Sequence, residues 1–188
     1  PESAPRALVL TGDGVAFCAG ADMNWMKKSV RFTREENETD ARRFSAMLRA
    51  LDELPIPTIA RVNGVCLGGR MGLISCCDVT VAVESADFGF TEVRLGIAPT
   101  VISPFVLSKI GAAAARRYFL SGEIFKAAEA KAIGLVHEVV APDALDAAVG
   151  KIVDALRGNG PHAVAAAKRL IREGLALRRD DAIENAVR

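Results

Sequence analysis

Apolar positions in the first third of the chain predict a short strand followed by one amphipathic helix. Residues 7–10 form an apolar run that ends at the turn-forming residues 11–14, which predicts a buried strand. Thr33 precedes Glu36 by three residues, the capping-box pattern of a helix N-terminus. The helix must end before Pro55, because the residue before a proline disfavours helical geometry. Its apolar positions, three or four residues apart, are Phe44, Met47, Leu48, Leu51 and Leu54.

The remaining pattern alternates strands with helices and then predicts helices only. Strands are expected over residues 58–62, 78–83, 87–90 and 136–140. Helices are expected over residues 68–77, from Ser103 and over residues 112–120, and then over residues 142–156, 161–175 and 180–187. The expected fold class is therefore α/β, with an α/β core over residues 1–141 and a C-terminal helical region over residues 142–188.

Composition narrows the function classes. A length of 188 residues, with 51% hydrophobic and 25% charged residues, is typical of one globular domain. The formal net charge of +1 and the lack of a basic cluster with interleaved aromatics argue against a nucleic-acid partner. No apolar run approaches the ~18–20 residues that a membrane span requires, so no membrane partner is expected.

The cysteines and histidines show no metal-ligand or disulfide pattern. Cys18, Cys66, Cys76 and Cys77 form no C-x-x-C pair, and His137 and His162 lie far apart. We therefore expect small, buried, free thiols in a reducing compartment, no metal site, and a cytoplasmic location.

Two glycine-rich segments carry the candidate chemistry. Residues 16–23 are AFCAGADM, and residues 58–73 are TIARVNGVCLGGRMGL, which run from a strand into a helix. Small side chains let main-chain N–H groups approach a ligand closely, so two such turns can hold one oxyanion between them. Each segment alone is equally compatible with a plain tight turn. Neither segment matches a phosphate-binding loop. Phe17 stands where a dinucleotide-binding fingerprint needs glycine, and Arg70 and Met71 stand where a P-loop needs Lys and Ser/Thr.

In this order, the patterns A-F-C-A-G-A-D and G-x-x-x-G-G resemble those of the crotonase superfamily, the enoyl-CoA hydratases and isomerases. The resemblance covers roughly residues 5 to 175 and implies a spiral of ββα turns followed by helices that assemble trimers or hexamers. It also implies further strands before residue 1 and more chain after residue 188. The implied substrate is an acyl-CoA thioester, with no cofactor beyond the coenzyme A of the substrate, and no metal or nicotinamide.

The resemblance assigns an oxyanion hole to the backbone N–H groups of Ala21 and Gly69. Gly69 would lie at a helix N-terminus, where unpaired N–H groups and the helix dipole both favour negative charge. Coenzyme A would lie along the first glycine segment, and Lys27 would meet its phosphates. The substrate-binding residues expected on this basis are Ala19, Gly20, Asp22, Met23, Lys27, Gly68, Arg70 and Gly72.

The resemblance implies a mechanism in which two glutamates act, because familiar hydratases use two of them to add water to a 2-enoyl thioester. The second glutamate is present as Glu92, after the pattern A-x-F-G-F-T. Apolar neighbours are expected to raise its pKa, so that it serves as a proton donor. These neighbours are Phe88, Phe90, Leu95 and Ile97. The first glutamate position is Gly72, which we expect to be a vacancy that leaves room for a substrate branched at the β-carbon.

The stretch over residues 92–106, EVRLGIAPTVISPFV, resembles a narrower group. These are the bacterial methylglutaconyl-CoA hydratases of leucine degradation and the related isohexenylglutaconyl-CoA hydratases. Arg70 departs from that group, and it either faces solvent or pairs with the free carboxylate of a glutaconyl substrate. The leading hypothesis is hydration of a branched 2-enoyl-CoA such as 3-methylglutaconyl-CoA. A double-bond isomerase and a catalytically silent acyl-CoA-binding protein remain as alternatives.

Overall fold

The computed structural model describes residues 5–18, 28–29 and 31–176, and its strands form two sheets. The larger sheet has the order β1-β2-β4-β7 and is parallel throughout. The smaller has the order β3-β5-β6, in which β3 and β5 are parallel and β6 is antiparallel. The strands are β1 (Leu8–Thr11), β2 (Thr58–Val62), β3 (Cys66–Leu67), β4 (Val79–Val83), β5 (Asp87–Gly89), β6 (Ile124–Lys126) and β7 (Glu138–Val140). The α/β class with a parallel sheet is therefore confirmed.

Helices connect and cover these strands. They are α1 (Arg34–Asp52), α2 (Met71–Cys76), α3 (Ser103–Ser121), α4 (Ala127–Ala132), α5 (Leu145–Arg157) and α6 (Pro161–Ala176). Short 3-10 turns lie at Gly68–Arg70, Thr91–Leu95 and Pro142–Ala144. The helix predicted over residues 180–187 lies outside the described residues. Within the described residues, no helix has the length and apolar character needed to cross a membrane.

The capping box at the start of α1 is confirmed. The Thr33 hydroxyl accepts a hydrogen bond from the Glu36 N–H at 3.2 Å, and the Glu36 carboxylate accepts one from the Thr33 N–H at 2.7 Å. Leu48 is the fully buried residue of this helix, and Phe44 is half-buried. Met47, which is 46% exposed, lies outside the buried stripe.

The core lies between the larger sheet and the helices on it. β2 and β4 are its central strands, and nearly all their side chains are fully buried. α2 packs between α1 and α3, whereas α5 packs on β2 and β4 through Leu145, Ala148 and Val149. The helices thus hold the segment that enters α2 from both sides.

A polar cluster fastens α6 to the edge of this core. One carboxylate oxygen of Asp78 accepts hydrogen bonds from the Thr58 N–H at 2.7 Å and the Thr58 hydroxyl at 2.9 Å. The same oxygen accepts one from the Lys168 ammonium at 2.8 Å. Lys168 also donates to the Ile56 carbonyl at 3.3 Å. Because Lys168 belongs to α6, this cluster connects the C-terminal helix to the start of β2.

Several features of the fold differ from the sequence pattern. β1 was predicted to be buried, but it lies at the edge of the larger sheet and three of its four residues are exposed. α4 was not predicted, and neither were β3 and β6, which are defined by their pairing with β5 and show no strand period of their own. The two helical runs predicted from Ser103 and over residues 112–120 join as α3, with a break at Gly111, where φ is 71° and ψ is 169°. Only glycine adopts that conformation readily, so the glycine at position 111 explains why the helix breaks there.

None of the four cysteines forms a disulfide, and three of them are buried. Burial raises the pKa of the thiols of Cys66 and Cys76, and it raises that of Cys77 to about 11. His137 lies at the surface, where its Nδ1 accepts a hydrogen bond from the Thr80 N–H at 3.0 Å. That bond fixes His137 as a partner of the β4 backbone.

Candidate active site

The two glycine-rich segments lie side by side at Cys18 and Cys66. Cys18 forms a parallel bridge with Cys66; its N–H donates to the Val65 carbonyl at 2.9 Å, and its carbonyl accepts from the Leu67 N–H at 3.3 Å. Hydrogen-bonded neighbours of this kind are about 4.8 Å apart. The chain therefore leaves Cys18 directly beside the residues that lead into Gly68.

The rest of the first segment lies outside the described residues. This applies to the expected oxyanion donor Ala21 and to the expected coenzyme A contacts. Those contacts are Ala19, Gly20, Asp22, Met23 and Lys27. Their roles stay predictions.

Gly68 and Gly69 form the turn between β3 and α2. Gly68 has a φ of 63°, a left-handed conformation that explains why the chain has glycine there. Gly69 is the second residue of the helical segment, so its N–H lies in the first turn, where no intrahelical acceptor is available. A Cβ added at Gly69 would lie 3.3 Å from Cε1 of Phe44, so the Phe44 ring of α1 covers this turn. The Gly69 amide thus lies at the start of a helical segment, and its role as an oxyanion donor stays a prediction.

Glu92 lies beside this turn. It belongs to the 3-10 turn Thr91–Leu95 after β5, is 9% exposed, and has an Oε2 atom with no hydrogen-bond partner among the described residues. A Cβ added at Gly68 would lie 4.0 Å from Oε1 of Glu92. Burial raises the pKa of this carboxyl, and a hydrogen bond from its own backbone N–H opposes the shift. A buried acid with an unused oxygen is thus held next to the candidate oxyanion donor.

The apolar surroundings predicted for Glu92 are only partly correct. Phe88 and Phe90 are fully buried, but Leu95 and Ile97 are 60% and 57% exposed. The turn ends at Gly96, whose φ of 73° lies in the left-handed region, and the residues on either side of it are mostly exposed.

The vacancy expected at Gly72 is wrong. A Cβ added there would lie 2.6 Å from Cγ2 of Ile102 and 3.1 Å from Cδ1 of Leu48. Both side chains are fully buried, so the space that a residue at position 72 would need is already filled by protein. Gly72 permits the close approach of Ile102 to α2 and provides no room for substrate.

Arg70 follows the two turn glycines and is half-buried. None of the ion pairs formed by the described residues uses its guanidinium. It is therefore not fully solvated, and it is not paired with an acid among the described residues. Among the described residues, no three His, Cys, Asp or Glu side chains are grouped so as to hold a metal ion.

Comparison with known proteins shows which family the chain is similar to. The enoyl-CoA hydratase/isomerase family profile matches residues 2–187. The chain is 36% identical over 188 residues to the short-chain-enoyl-CoA hydratase of Clostridium acetobutylicum, covering 97% of this chain and 69% of that protein. It is 38% identical over 169 residues to the mevalonyl-coenzyme A hydratase sidH of Aspergillus fumigatus, covering 89% of this chain and 60% of that protein. A crystal structure of an enoyl-CoA hydratase from Shewanella pealeana has 38% identity and a TM-score of 0.92, covering 97% of this chain and 68% of that one.

The chain belongs to the enoyl-CoA hydratase/isomerase family. It spans between 60% and 69% of the length of the two curated relatives just named. The predicted superfamily is confirmed. The relatives named here act, by their names, on other acyl-CoA esters, so the narrower resemblance to methylglutaconyl-CoA hydratases stays a prediction.

Sequence reasoning missed three neighbours of the site. Phe44 and Leu48 were recognised only as part of the apolar stripe of α1, yet they contact the positions of Gly69 and Gly72. Their spacing of four residues places both on one helix face, which was the available signal. Ile102 gave no signal of its own, because a single isoleucine before a helix is compatible with any core position.

Proposed function

We propose that this chain supplies the reaction site of an enoyl-CoA hydratase-type enzyme. The proposed reaction adds water to a branched 2-enoyl-CoA such as 3-methylglutaconyl-CoA and gives a 3-hydroxyacyl-CoA. The observation that carries the proposal is the buried carboxyl of Glu92 beside the Gly68–Gly69 turn. Because its pKa is raised, such a carboxyl stays protonated at a higher pH than an exposed glutamate does, and it can then donate a proton.

The thioester carbonyl oxygen would accept a hydrogen bond from the Gly69 N–H. By family resemblance, the Ala21 N–H would be the second donor. Negative charge grows on this oxygen when water adds at the β-carbon, and each preorganised donor of this kind typically contributes ~10²–10³ in rate. Glu92 then donates its proton to the α-carbon, and its carboxylate takes up the proton that the attacking water loses, so the carboxyl is restored. In the reverse direction the same two proton transfers run backwards. Coenzyme A takes part only as the substrate's carrier group.

The substrate class rests on two supports. Arg70 is a half-buried cation next to the turn, so it is available to pair with a carboxylate at the distal end of a glutaconyl chain. The relative sidH acts, by its name, on mevalonyl-coenzyme A, which is branched at its β-carbon. The discriminating variant is Arg70→Met, which keeps an unbranched, apolar stem and removes the charge. It should raise KM for 3-methylglutaconyl-CoA and leave KM unchanged for crotonyl-CoA, whose acyl chain carries no charge.

A double-bond isomerase is the second candidate. One specific observation favours it: the first carboxylate position of familiar hydratases is Gly72, and that space is filled by Ile102 and Leu48. An isomerase needs only one group to move a proton between two carbons, and Glu92 suffices for that. A silent acyl-CoA-binding protein would retain binding without either reaction.

Incubation of the full-length protein with 3-methylglutaconyl-CoA and crotonyl-CoA separates these functions. Chromatography of the products distinguishes a hydrated ester, a shifted double bond and unchanged substrate, while calorimetry measures binding. We expect hydration, faster with the branched ester. Binding without any product would refute the enzyme proposal, and a shifted double bond alone would replace hydratase by isomerase.

The assembly and location are proposals on the same basis. We expect a homotrimer or a hexamer in the cytoplasm. Leu170 and Ile171 of α6 remain exposed in the single chain, which gives an apolar surface for another copy to cover. A stable monomer of full-length protein in sedimentation at micromolar concentration would refute the assembly.

A further inference from the structure

Thr91 is the first residue of the 3-10 turn that contains Glu92, and its side chain lies between two glycines. A Cβ added at Gly89 would lie 3.3 Å from the Thr91 methyl carbon, and a Cβ added at Gly68 would lie 3.7 Å from the Thr91 hydroxyl oxygen. The methyl group therefore faces β5, and the hydroxyl faces the turn between β3 and α2. Since a β-branched side chain has few accessible χ1 rotamers, this packing orients the hydroxyl.

The Thr91 hydroxyl forms no hydrogen bond with the residues that the structure describes. Thr91 is half-buried. Among the described residues, Oε2 of Glu92 is the one buried side-chain nitrogen or oxygen without a hydrogen-bond partner, so the Thr91 hydroxyl is reached by solvent. By contrast, the buried hydroxyls of Thr58 and Thr80 both form hydrogen bonds within the fold. An oriented hydroxyl that the fold does not use is available to a ligand.

The Thr91 hydroxyl and the Glu92 carboxyl border the same space. The point that a Cβ of Gly68 would occupy lies 3.7 Å from Thr91 Oγ1 and 4.0 Å from Glu92 Oε1, and no other described atom beyond the adjoining residues lies within 4 Å of it. Hydrogen bonds between a water and such oxygens are about 2.8 Å long, so this point is only roughly 1 Å too far from each of them. The space therefore has room for a water molecule beside both oxygens.

We propose that Thr91 is a further catalytic residue, whose hydroxyl oxygen accepts a hydrogen bond from the water that adds to the β-carbon. This inference rests on the proposed function. The water donates one of its protons to Thr91 Oγ1 and the other to an oxygen of the Glu92 carboxyl. A lone pair of the water oxygen then stays free to attack the double bond. Thr91 thus orients the water, and Glu92 transfers the protons.

The step balances in atoms and electrons. The water oxygen forms a bond to the β-carbon, and the π electron pair of the double bond moves toward the thioester carbonyl. The water proton that faces Glu92 passes to one oxygen of the carboxyl, and the proton on the other oxygen passes to the α-carbon. The product is a 3-hydroxyacyl-CoA. Glu92 ends the reaction protonated as it began, and Thr91 gains and loses no proton.

The test compares wild type with Thr91→Val and Thr91→Ser in the full-length protein. Valine keeps the shape of threonine without the hydroxyl, and serine keeps the hydroxyl without the methyl group. The matched control is Thr39→Val, which removes an exposed hydroxyl from α1. For each variant, kcat and KM of hydration are measured with whichever of 3-methylglutaconyl-CoA and crotonyl-CoA the wild type hydrates faster, and thermal midpoints are recorded. If Thr91→Val does not fold, Thr91→Ala replaces it.

We expect Thr91→Val to lower kcat about 10- to 100-fold with little change in KM, because the water loses one hydrogen-bond partner in a half-buried place. Thr91→Ser should stay within a few-fold of wild type, and Thr39→Val should equal it. A second measurement separates an effect on water from an effect on Glu92. The saturated ester 3-methylglutaryl-CoA cannot be hydrated, but Glu92 can exchange its α-protons for deuterium in heavy water. Thr91→Val should exchange them at the wild-type rate.

Three results would overturn the proposal. Hydration by Thr91→Val within threefold of wild type would show that the hydroxyl does not hold the water. An equal loss of hydration and of exchange would show that Thr91 acts only by supporting Glu92. An equal loss in Thr91→Ser and Thr91→Val would show that the methyl packing matters and the hydroxyl does not. If the wild-type exchange is too slow to measure, the apparent pKa of the kcat profile replaces it: an unchanged pKa supports the proposal, and a shifted one overturns it.

The failure of the proposed function is a different result. Wild-type protein that only shifts the double bond, or only binds the esters, refutes the proposed hydration. A wild-type enzyme that hydrates, combined with any of the results that overturn the proposal, refutes only the role of Thr91.

Discussion

Replacing Glu92 with glutamine removes a titratable proton and almost nothing else. Gln has the same number of heavy atoms as Glu, so it fits the 4.0 Å gap between Oε1 and the Cβ position of Gly68. The Glu92 side chain forms no ion pair among the described residues, so its loss leaves no opposite charge unpaired. The variant therefore isolates the proton-transfer role of this carboxyl.

The expected loss is large in turnover and small in binding. General acid–base catalysis by one group typically contributes 10²–10⁴. At 1.36 kcal/mol per factor of ten, this is about 2.7–5.4 kcal/mol of transition-state stabilisation. Since a proton donor acts in the transition state, kcat should fall by this factor while KM stays within a few-fold.

The pH dependence has a definite sign. Burial raises the pKa of Glu92 above its ordinary value of 4.5, so between the unfolded and the folded pKa the folded protein holds more protons. The contribution of Glu92 to the free energy of unfolding is therefore fully present below pH 4.5 and is lost as the pH rises through the folded pKa. If hydration depends on protonated Glu92, its rate also falls as the pH rises through the folded pKa of Glu92. Both effects of pH should disappear in Glu92→Gln, because glutamine does not titrate.

The assay measures kcat and KM for 3-methylglutaconyl-CoA across this pH range, with thermal midpoints alongside. Glu84→Gln is the matched control, because it removes the same charge from an exposed position after β4. It should behave as wild type. Rates for Glu92→Gln within threefold of wild type, or an unchanged pH profile, would show that Glu92 is not the proton-transfer group.

Three further predictions concern the turn and the helices. Gly69→Pro removes the proposed oxyanion donor and should lower turnover ~10²-fold or more; a folded variant with wild-type kcat would contradict that role. Lys168→Met leaves Asp78 without its cation and should destabilise the protein by about 1–3 kcal/mol in urea unfolding; an unchanged midpoint would show that the cluster does not fasten α6. Thr33→Ala breaks the capping box and should cost about 1 kcal/mol, whereas Thr39→Ala, on the exposed face of α1, should cost little. Equal effects of the two threonine changes would refute the importance of the cap.

Local signals were strong enough to predict most elements from the sequence. The cap at Thr33 and the glycines at 68 and 69 act through the backbone of their immediate neighbours, so they can be recognised before any tertiary contact is known. The order of the two glycine-rich segments, followed by Glu92, likewise indicated the family, because each motif is contiguous. These features are properties of short stretches of chain.

The contents of the site depended on contacts between distant stretches. Whether Gly72 leaves an open space or a filled one is decided by Ile102, thirty positions later, and by Leu48 on another helix. The sequence alone predicted a vacancy there, because it shows that a side chain is absent but not what replaces it. The burial of Glu92 is likewise a property of the folded chain, and two of the apolar neighbours expected from the sequence, Leu95 and Ile97, are mostly exposed.

The sequence by itself therefore determined most of the α/β elements and the glycine turn, and it singled out Glu92 as the candidate acid. The tertiary structure decided that Cys18 and Cys66 bring the two segments together, that one Glu92 oxygen has no hydrogen-bond partner among the described residues, and that Ile102 fills the space at Gly72. The physical reason is that backbone preferences act between residues close in sequence, whereas excluded volume and desolvation depend on every atom that packs nearby.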